Sequence, residues 1–128
     1  GARRAIVVHG VDGLDEVTTT DYTYVSEFNG KDVLSYKVTP QKFGIRPAND
    51  DQLKGGDAKE NAEIALSVLS GEKGPRRDIV LLNSAFAFYA AEKVPTPGEG
   101  MALAEAMIDS GKAMEKLKAL KEFTNRAQ

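Results

Sequence analysis

A run of four apolar residues near the start of the chain, Ala5-Ile6-Val7-Val8, places the strongest constraint on the fold. Most of the run is β-branched, and no polar residue alternates with it. This pattern is typical of a strand buried on both faces, as in a parallel sheet covered by helices. Later segments offer too few parallel partners for such a strand. We therefore expect its sheet neighbours to lie outside this sequence, with the chain as a fragment of a larger domain; the alternative is a complete small domain after an expression remnant at Gly1-Ala2.

A β-hairpin is predicted from Tyr22 to Val38, because residues alternate in character through both of its arms. Asn29-Gly30 between the arms is typical of a two-residue type I′ turn. Pro40 is expected to end the second arm. Residues 43–54 are rich in glycine, proline, asparagine and aspartate, which predicts a loop.

Two helical segments are predicted directly after this loop. Asp57 followed by Glu60 resembles a capping box at the start of the first segment. The second segment begins at Pro75, where the missing N–H of proline costs little. Its residues 78–91 are apolar nearly all round, which predicts a buried helix.

Two further helical segments complete the chain, and Ser110-Gly111 separates them. Thr96 followed by Glu99 predicts the start of the third segment. The fourth carries an apolar stripe with lysines opposite, which predicts ordinary amphipathic packing. The stripe consists of Met114, Leu117, Leu120 and Phe123. One strand, one hairpin and four helical segments predict an α/β or α+β fold.

Composition excludes several kinds of partner and site. The chain has 17 Lys and Arg against 19 Asp and Glu, a net charge of −2, so nucleic acid is not expected as a partner. The absence of cysteine excludes disulfides and thiol chemistry and agrees with a reducing cytoplasm, and the single His excludes a multi-histidine metal site. No apolar run approaches the length of a bilayer span, so no membrane partner is expected.

Three acidic residues, Asp12, Asp15 and Glu16, lie just past the predicted buried strand. In open α/β sheets, ligands bind beyond the carboxyl ends of the strands. Gly10 and Gly13 allow the backbone to turn tightly and to approach a ligand. Adjacent carboxylates at this place suit Mg²⁺, which prefers one or two carboxylates together with water and substrate phosphates. A solvated surface turn is the alternative interpretation.

Several motifs occur in an order that is similar to one known family. The segment from Arg4 to Thr20 contains Val-His-Gly, then Gly-Leu-Asp-Glu, then three threonines. It resembles the segment that anthranilate phosphoribosyltransferases place beside phosphoribosyl pyrophosphate. Residues 55–62, 69–78 and 82–85 match further elements of the same family: a Gly-Gly-Asp…Asn-Ala element, a junction between two helices, and a buried helix. The resemblance covers essentially the whole chain.

The resemblance implies a fold and an activity. Residues 1–128 would form the C-terminal portion of the family's large, mixed-sheet α/β domain, which is similar to that of nucleoside phosphorylases. The family's N-terminal helical domain and its Gly-Thr-Gly-Gly-Asp pyrophosphate loop are not in this sequence; Gly55-Gly56-Asp57 is expected to lead into a helix instead. The implied enzyme transfers the phosphoribosyl group from phosphoribosyl pyrophosphate to anthranilate in tryptophan biosynthesis. It would be cytoplasmic and a homodimer when full-length, and the fragment alone is expected to be inactive.

The resemblance also implies roles for individual residues. Asp15 and Glu16 would hold Mg²⁺ on the pyrophosphate leaving group. His9 and Gly10 are weaker candidates for substrate binding, and no catalytic residue is assigned. Arg76 and Arg77 are interpreted as structural or exposed, because cations at a helix start oppose its dipole. The alternative function is a non-catalytic module of the same fold, or one that binds another phosphorylated ligand.

Overall fold

The computed structural model describes residues 1–126, which form a three-stranded sheet followed by helices. The strands are β1 (Ala5–Gly10), β2 (Thr23–Phe28) and β3 (Val33–Val38). A short 3-10 helix spans Pro40–Phe43. The α-helices are α1 (Asp50–Leu53), α2 (Ala58–Leu69), α3 (Pro75–Ala90), α4 (Pro97–Asp109) and α5 (Lys112–Asn125). The predicted α/β order of strand, hairpin and four main helices is confirmed.

The sheet is antiparallel throughout the described residues, in the order β1-β2-β3. Ile6 and Val8 of β1 are half-buried against the core, while Val7 on the opposite face is 68% exposed. Helices cover only one face of this small sheet. Burial of β1 on both faces, which its apolar run predicts, is therefore not seen within residues 1–126.

The hairpin turn differs from the predicted two-residue turn. Phe28 pairs with Val33, so four residues from Asn29 to Asp32 connect the strands. Gly30 has a φ of +97°, but Asn29 does not have a positive φ. The Asn29 side chain instead accepts hydrogen bonds from the backbone N–H groups of Lys31 and Asp32, at 3.0 and 2.9 Å. The type I′ prediction was wrong because this local side-chain bonding favours a wider turn.

The segment predicted as a loop before α2 contains one helical turn, α1. Asn49 precedes this turn, and the Gln52 side chain accepts a hydrogen bond from the Asn49 backbone N–H at 2.9 Å. This capping box stabilises a turn too short for a periodic apolar pattern. The loop prediction was therefore wrong for Asp50–Leu53.

Two helix starts follow the sequence prediction. The Asp57 carboxylate accepts a hydrogen bond from the backbone N–H of Glu60 at 2.8 Å, at the start of α2. The Thr96 hydroxyl accepts one from the backbone N–H of Glu99 at 3.2 Å, at the start of α4. Both predicted caps are confirmed. Among residues 1–126, no helix combines the length and the apolar character needed to cross a membrane.

Helix α3 lies at the centre of the structure and contacts both parts of the core. Leu82 and Phe86 pack against the inner face of the sheet, and Leu81 packs against α2 and α4. Val80 is 39% exposed, so the helix is not buried all round as predicted. The sheet-side cluster consists of Val17, Val25, Val38, Ile45, Leu82 and Phe86, and the helix-side cluster of Val68, Leu81, Ala104 and Ile108.

The apolar stripe of α5 is covered only along its first half. Met114 and Leu117 are half-buried, whereas Leu120 and Phe123 are 56% and 75% exposed. The described elements do not reach the second half of the helix. Its predicted amphipathic packing is therefore only partly observed.

A buried polar network joins the sheet to α3. The Glu27 carboxylate, on the inner face of β2, accepts hydrogen bonds from the Tyr89 and Tyr36 hydroxyls at 2.7 and 3.0 Å. Arg4 Nε lies 3.6 Å from the same carboxylate, and its guanidinium lies over the Tyr89 ring. One buried carboxylate thus satisfies two hydroxyls and one cation, an arrangement whose members depend on each other.

Gly100 allows α4 to approach α3 closely. A Cβ at this position would lie 2.6 Å from the Ala85 carbonyl oxygen and 2.8 Å from its Cα. We expect Gly100→Ala to lower the free energy of unfolding by about 1–3 kcal/mol, because the helices must separate to admit the methyl group. Urea denaturation measures the change.

Gly98→Ala in the same helix is the matched control. The atom nearest to its added Cβ would be the Thr96 hydroxyl oxygen, 3.8 Å away. Stability should stay unchanged or rise by up to about 1 kcal/mol, because alanine favours the helix. Equal midpoints for the two variants would contradict the close approach of α3 and α4.

Candidate functional site

The segment between β1 and β2 folds back on itself directly after the strand ends. Gly10 N–H donates to the Leu14 carbonyl at 2.8 Å, and Gly13 N–H donates to the Gly10 carbonyl at 2.9 Å. Gly13 adopts a φ of +94°, a conformation that favours glycine. Residues 11–20, termed the acidic loop below, therefore form an ordered turn.

Asp12 points toward the far end of the acidic loop. Its carboxylate accepts hydrogen bonds from the hydroxyls of Thr18 and Thr20, at 2.5 and 2.6 Å, and from the Leu14 backbone N–H at 3.2 Å. Desolvation acts to raise the pKa of Asp12, but these hydrogen bonds outweigh it and lower the pKa below its ordinary value. Asp12 thus remains an anionic acceptor at neutral pH.

Asp15 and Glu16 occupy the exposed part of the same loop. Leu14 is bonded to Asp12 on one side of the pair. On the other side, Val17 N–H donates to the Asn83 side-chain oxygen and the Asn83 amide donates to the Val17 carbonyl, both at 2.9 Å. Two adjacent carboxylates are therefore presented to solvent on a segment that is fixed at both ends.

The donor chemistry of this pair suits a hard divalent cation. Carboxylate oxygens are the ligands that Mg²⁺ prefers, and two of them leave positions free for water and phosphate. Within the part of the chain that is described, no three acidic or histidine side chains gather as a metal-binding group. Asp15 and Glu16 fit a cation that is shared with a phosphorylated substrate better than one held by protein alone.

The two weaker candidates, His9 and Gly10, lie on different faces of β1. His9 is exposed on the outer face of the sheet, in register with Tyr24 and Lys37. Gly10 is buried, and a Cβ there would lie 2.4 Å from the Asp12 carboxylate. The geometry gives Gly10 a packing role in the loop, and substrate binding by either residue stays a prediction.

Arg76 and Arg77 make structural contacts at the start of α3, in agreement with their sequence interpretation. Arg77 is 3% exposed, and its guanidinium lies 2.7 Å from the Asp109 carboxylate of α4. Arg76 donates to the Lys54 carbonyl at 2.7 Å. Both cations connect neighbouring segments.

Clefts lie on both sides of the acidic loop. One, of about 810 Å³, is lined by Asp12 and Thr20 together with Lys54 and residues of α1. The other, of about 510 Å³, lies between α2 and α3 and is lined by Leu14 and Glu16. The loop is therefore open to a ligand from either side.

Sequence reasoning identified the exposed carboxylates but missed the groups that hold them. Asn83 contacts Val17 across 66 residues of sequence, a pairing that local patterns do not reveal. A single amide in the mainly apolar part of α3, residues 79–90, was the available signal. For Asp12, the signal was the group of threonines that follows it six to eight residues later.

Comparison with known proteins identifies similar chains. The family described as "Glycosyl transferase family, a/b domain" matches residues 1–114. Anthranilate phosphoribosyltransferase of Acetivibrio thermocellus is 51% identical over 125 residues, which cover 98% of this chain and 36% of that protein. The enzyme of Methanocorpusculum labreanum is 52% identical over 120 residues, covering 94% and 35%. The chain spans about a third of the length of the curated relatives that it matches.

Solved structures of the same enzymes are similar to this chain in fold. The crystal structure of anthranilate phosphoribosyltransferase from Thermus thermophilus matches with a TM-score of 0.81 and 42% identity, over 91% of this chain and 34% of that one. The Saccharomyces cerevisiae enzyme in complex with PRPP and Mg matches with a TM-score of 0.79 and 29% identity, over 88% and 33%. The arrangement of strands and helices is therefore that of these structures.

Proposed function

Since the chain belongs to the glycosyl transferase family, a/b domain, we propose that it forms the C-terminal part of the large α/β domain of an anthranilate phosphoribosyltransferase. The observation that carries this proposal is the exposed Asp15-Glu16 pair on an anchored loop, in a chain about half identical to such enzymes. The whole enzyme would transfer the phosphoribosyl group from phosphoribosyl pyrophosphate to the amino group of anthranilate.

In this proposal Asp15 and Glu16 bind Mg²⁺ at the pyrophosphate of the donor substrate. A yeast relative was solved in complex with PRPP and Mg, which supports phosphoribosyl pyrophosphate and Mg²⁺ as the bound species. When bound, Mg²⁺ supplies Lewis-acid stabilisation of the leaving oxygens, on the order of several kcal/mol. The carboxylates contribute by fixing the position of that charge beside the substrate.

The remaining chemistry needs little from this chain. The bond between the ribose anomeric carbon and the pyrophosphate oxygen breaks, a bond to the anthranilate nitrogen forms, pyrophosphate leaves, and the nitrogen gives up one of its two protons. An aromatic amine has a free electron pair, so a strong general base is not required. Positioning of both substrates and neutralisation of the leaving group account for most of the acceleration.

The cellular setting is part of the same proposal. The reaction product places the enzyme in tryptophan biosynthesis. A cytoplasmic location agrees with a chain that contains no cysteine. We propose a homodimer for the full-length enzyme, formed through the family's small helical domain.

The test is a transferase assay on the whole protein that contains this chain. We expect consumption of anthranilate, followed by its fluorescence, only when phosphoribosyl pyrophosphate and Mg²⁺ are both present. Residues 1–128 alone should give no turnover, because half of a site cannot bring the two substrates together. Binding of phosphoribosyl pyrophosphate by the whole protein without turnover would favour the non-catalytic alternative, and turnover after chelation of Mg²⁺ would contradict the metal site.

A further inference from the structure

We propose that Asp12, with the hydroxyls of Thr18 and Thr20, is a positioning residue that fixes the Asp15-Glu16 pair for metal binding. This role rests on the proposed function, because it concerns the same loop. It separates the three loop carboxylates into two kinds. All three residues are exposed, but the Asp12 carboxylate is hydrogen-bonded within the loop and acts through Asp15 and Glu16.

The first support is the connectivity of the loop. One Asp12 oxygen accepts both threonine hydroxyls, and the other accepts the Leu14 N–H. These bonds join the beginning of the acidic loop to its end. The Asp15-Glu16 pair lies between the joined points, so loss of the Asp12 carboxylate frees Leu14 on one side of the pair, while Asn83 still holds Val17 on the other.

The second support is the rigidity of the threonine partners. Thr18 is 1% exposed, and its backbone N–H donates to the Thr23 hydroxyl of β2 at 3.0 Å. The Thr18 hydroxyl also accepts from the Thr20 backbone N–H at 3.1 Å. The partners of Asp12 are therefore themselves anchored at the start of β2, and they fix the position of the Asp12 carboxylate.

The third support is the occupancy of the Asp12 oxygens. An ionised carboxylate has about four acceptor positions, and hydrogen bonds from the loop take three of those of Asp12. Gly10 is needed beneath it, since a Cβ there would lie 2.4 Å from Asp12 Oδ1. A carboxylate engaged in this way holds its loop in place, and the exposed pair remains available for a cation.

Asp12→Asn, Thr18→Val and Thr20→Val test this role in the whole enzyme. The asparagine keeps the size of Asp12 but presents an N–H₂ group where one acceptor was, and each valine removes one hydroxyl at nearly constant volume. We expect Mn²⁺ affinity in the presence of pyrophosphate, followed by electron paramagnetic resonance, to fall about 10- to 100-fold in Asp12→Asn. Hydrogen exchange of residues 11–20 should accelerate, and the KM for anthranilate should stay unchanged. Thr20→Ser keeps the hydroxyl and should restore wild-type behaviour.

The controls separate this inference from the proposed function. Asp32→Asn removes an exposed charge at the hairpin tip and should leave metal affinity and loop exchange unchanged. If Asp15→Asn weakens Mn²⁺ binding while Asp12→Asn and both valine variants bind and exchange like wild type, the inference fails and the proposed function stands. If Asp15→Asn and Glu16→Gln also bind and react like wild type, both fail. If Asp12→Asn does not fold, Thr20→Val, at a half-buried position, tests the inference by the same measurements of metal affinity and hydrogen exchange.

Discussion

Asp15→Asn and Glu16→Gln are each expected to raise the activation free energy of transfer by the whole enzyme by roughly 2–4 kcal/mol. This is about the effect of losing one preorganised electrostatic stabiliser. Each substitution keeps the size of the side chain and removes one charge from an exposed position. The KM for phosphoribosyl pyrophosphate should rise more than that for anthranilate, because in the proposed site the metal would contact only the donor substrate. Steady-state kinetics across a series of Mg²⁺ concentrations measure both effects.

Stability and metal rescue distinguish this effect from damage to the fold. The thermal midpoint should hardly change, since an exposed charge contributes within about 0.5 kcal/mol to stability. Raised Mg²⁺ should recover part of the lost rate. Asp32→Asn, which removes a comparable exposed charge at the hairpin tip, should retain wild-type kinetics. Unchanged rates in both loop variants would favour the alternative interpretation, in which Asp15 and Glu16 belong to a solvated surface turn.

Features fixed by neighbours in sequence could be predicted. The starts of α2 and α4 depend on Asp57 and Thr96, which bond to a backbone N–H three residues later. The adjacent carboxylates after a strand indicated either a metal site or a solvated turn, and only the resemblance to the family favoured the metal site. For the two helix starts the physical cause lies within one turn of chain, so a short motif contains all of it.

Features fixed by distant contacts could not be predicted. The bonds between Asn83 and Val17 form only when α3 packs beside the sheet, and the burial of Glu27 depends on a tyrosine 62 residues away. The apolar run of β1 indicates a strand but does not identify its neighbours; among residues 1–126 its one partner is antiparallel. Even the local turn at Asn29 departed from prediction, because a side chain competed with the backbone for the same donors.

Glu27→Ala is expected to cause the largest loss of stability, toward the lower end of about 3–5 kcal/mol. The Glu27 side chain is 8% exposed, and its removal leaves the Arg4 cation and the hydroxyls of Tyr36 and Tyr89 without their shared acceptor. The lower end applies because the Arg4 side chain remains 23% exposed and keeps part of its hydration. Glu63→Ala, at an exposed position of α2, is the control and should change stability by no more than about 0.5 kcal/mol. Denaturant unfolding of both variants gives the comparison.

The free energy of unfolding, measured as a function of pH in the alkaline range, tests the Glu27 network independently. Glu27→Gln is the milder variant for this test. Hydrogen bonding to Glu27, together with burial, raises the pKa of Tyr89, and burial followed by the Glu27 contact raises that of Tyr36. Both hydroxyls therefore keep their protons in the folded protein after the unfolded chain begins to lose them near pH of about 10. The unfolded state then binds fewer protons than the folded state, so stability falls as pH rises above that value. Without the negative charge of Glu27, the pKa values of both tyrosines should move back toward their ordinary value. Glu27→Gln should therefore lose less stability than wild type between roughly pH 9 and pH 11, the window around the unfolded tyrosine pKa. Parallel alkaline curves for wild type and Glu27→Gln would show that the tyrosines do not depend on this carboxylate.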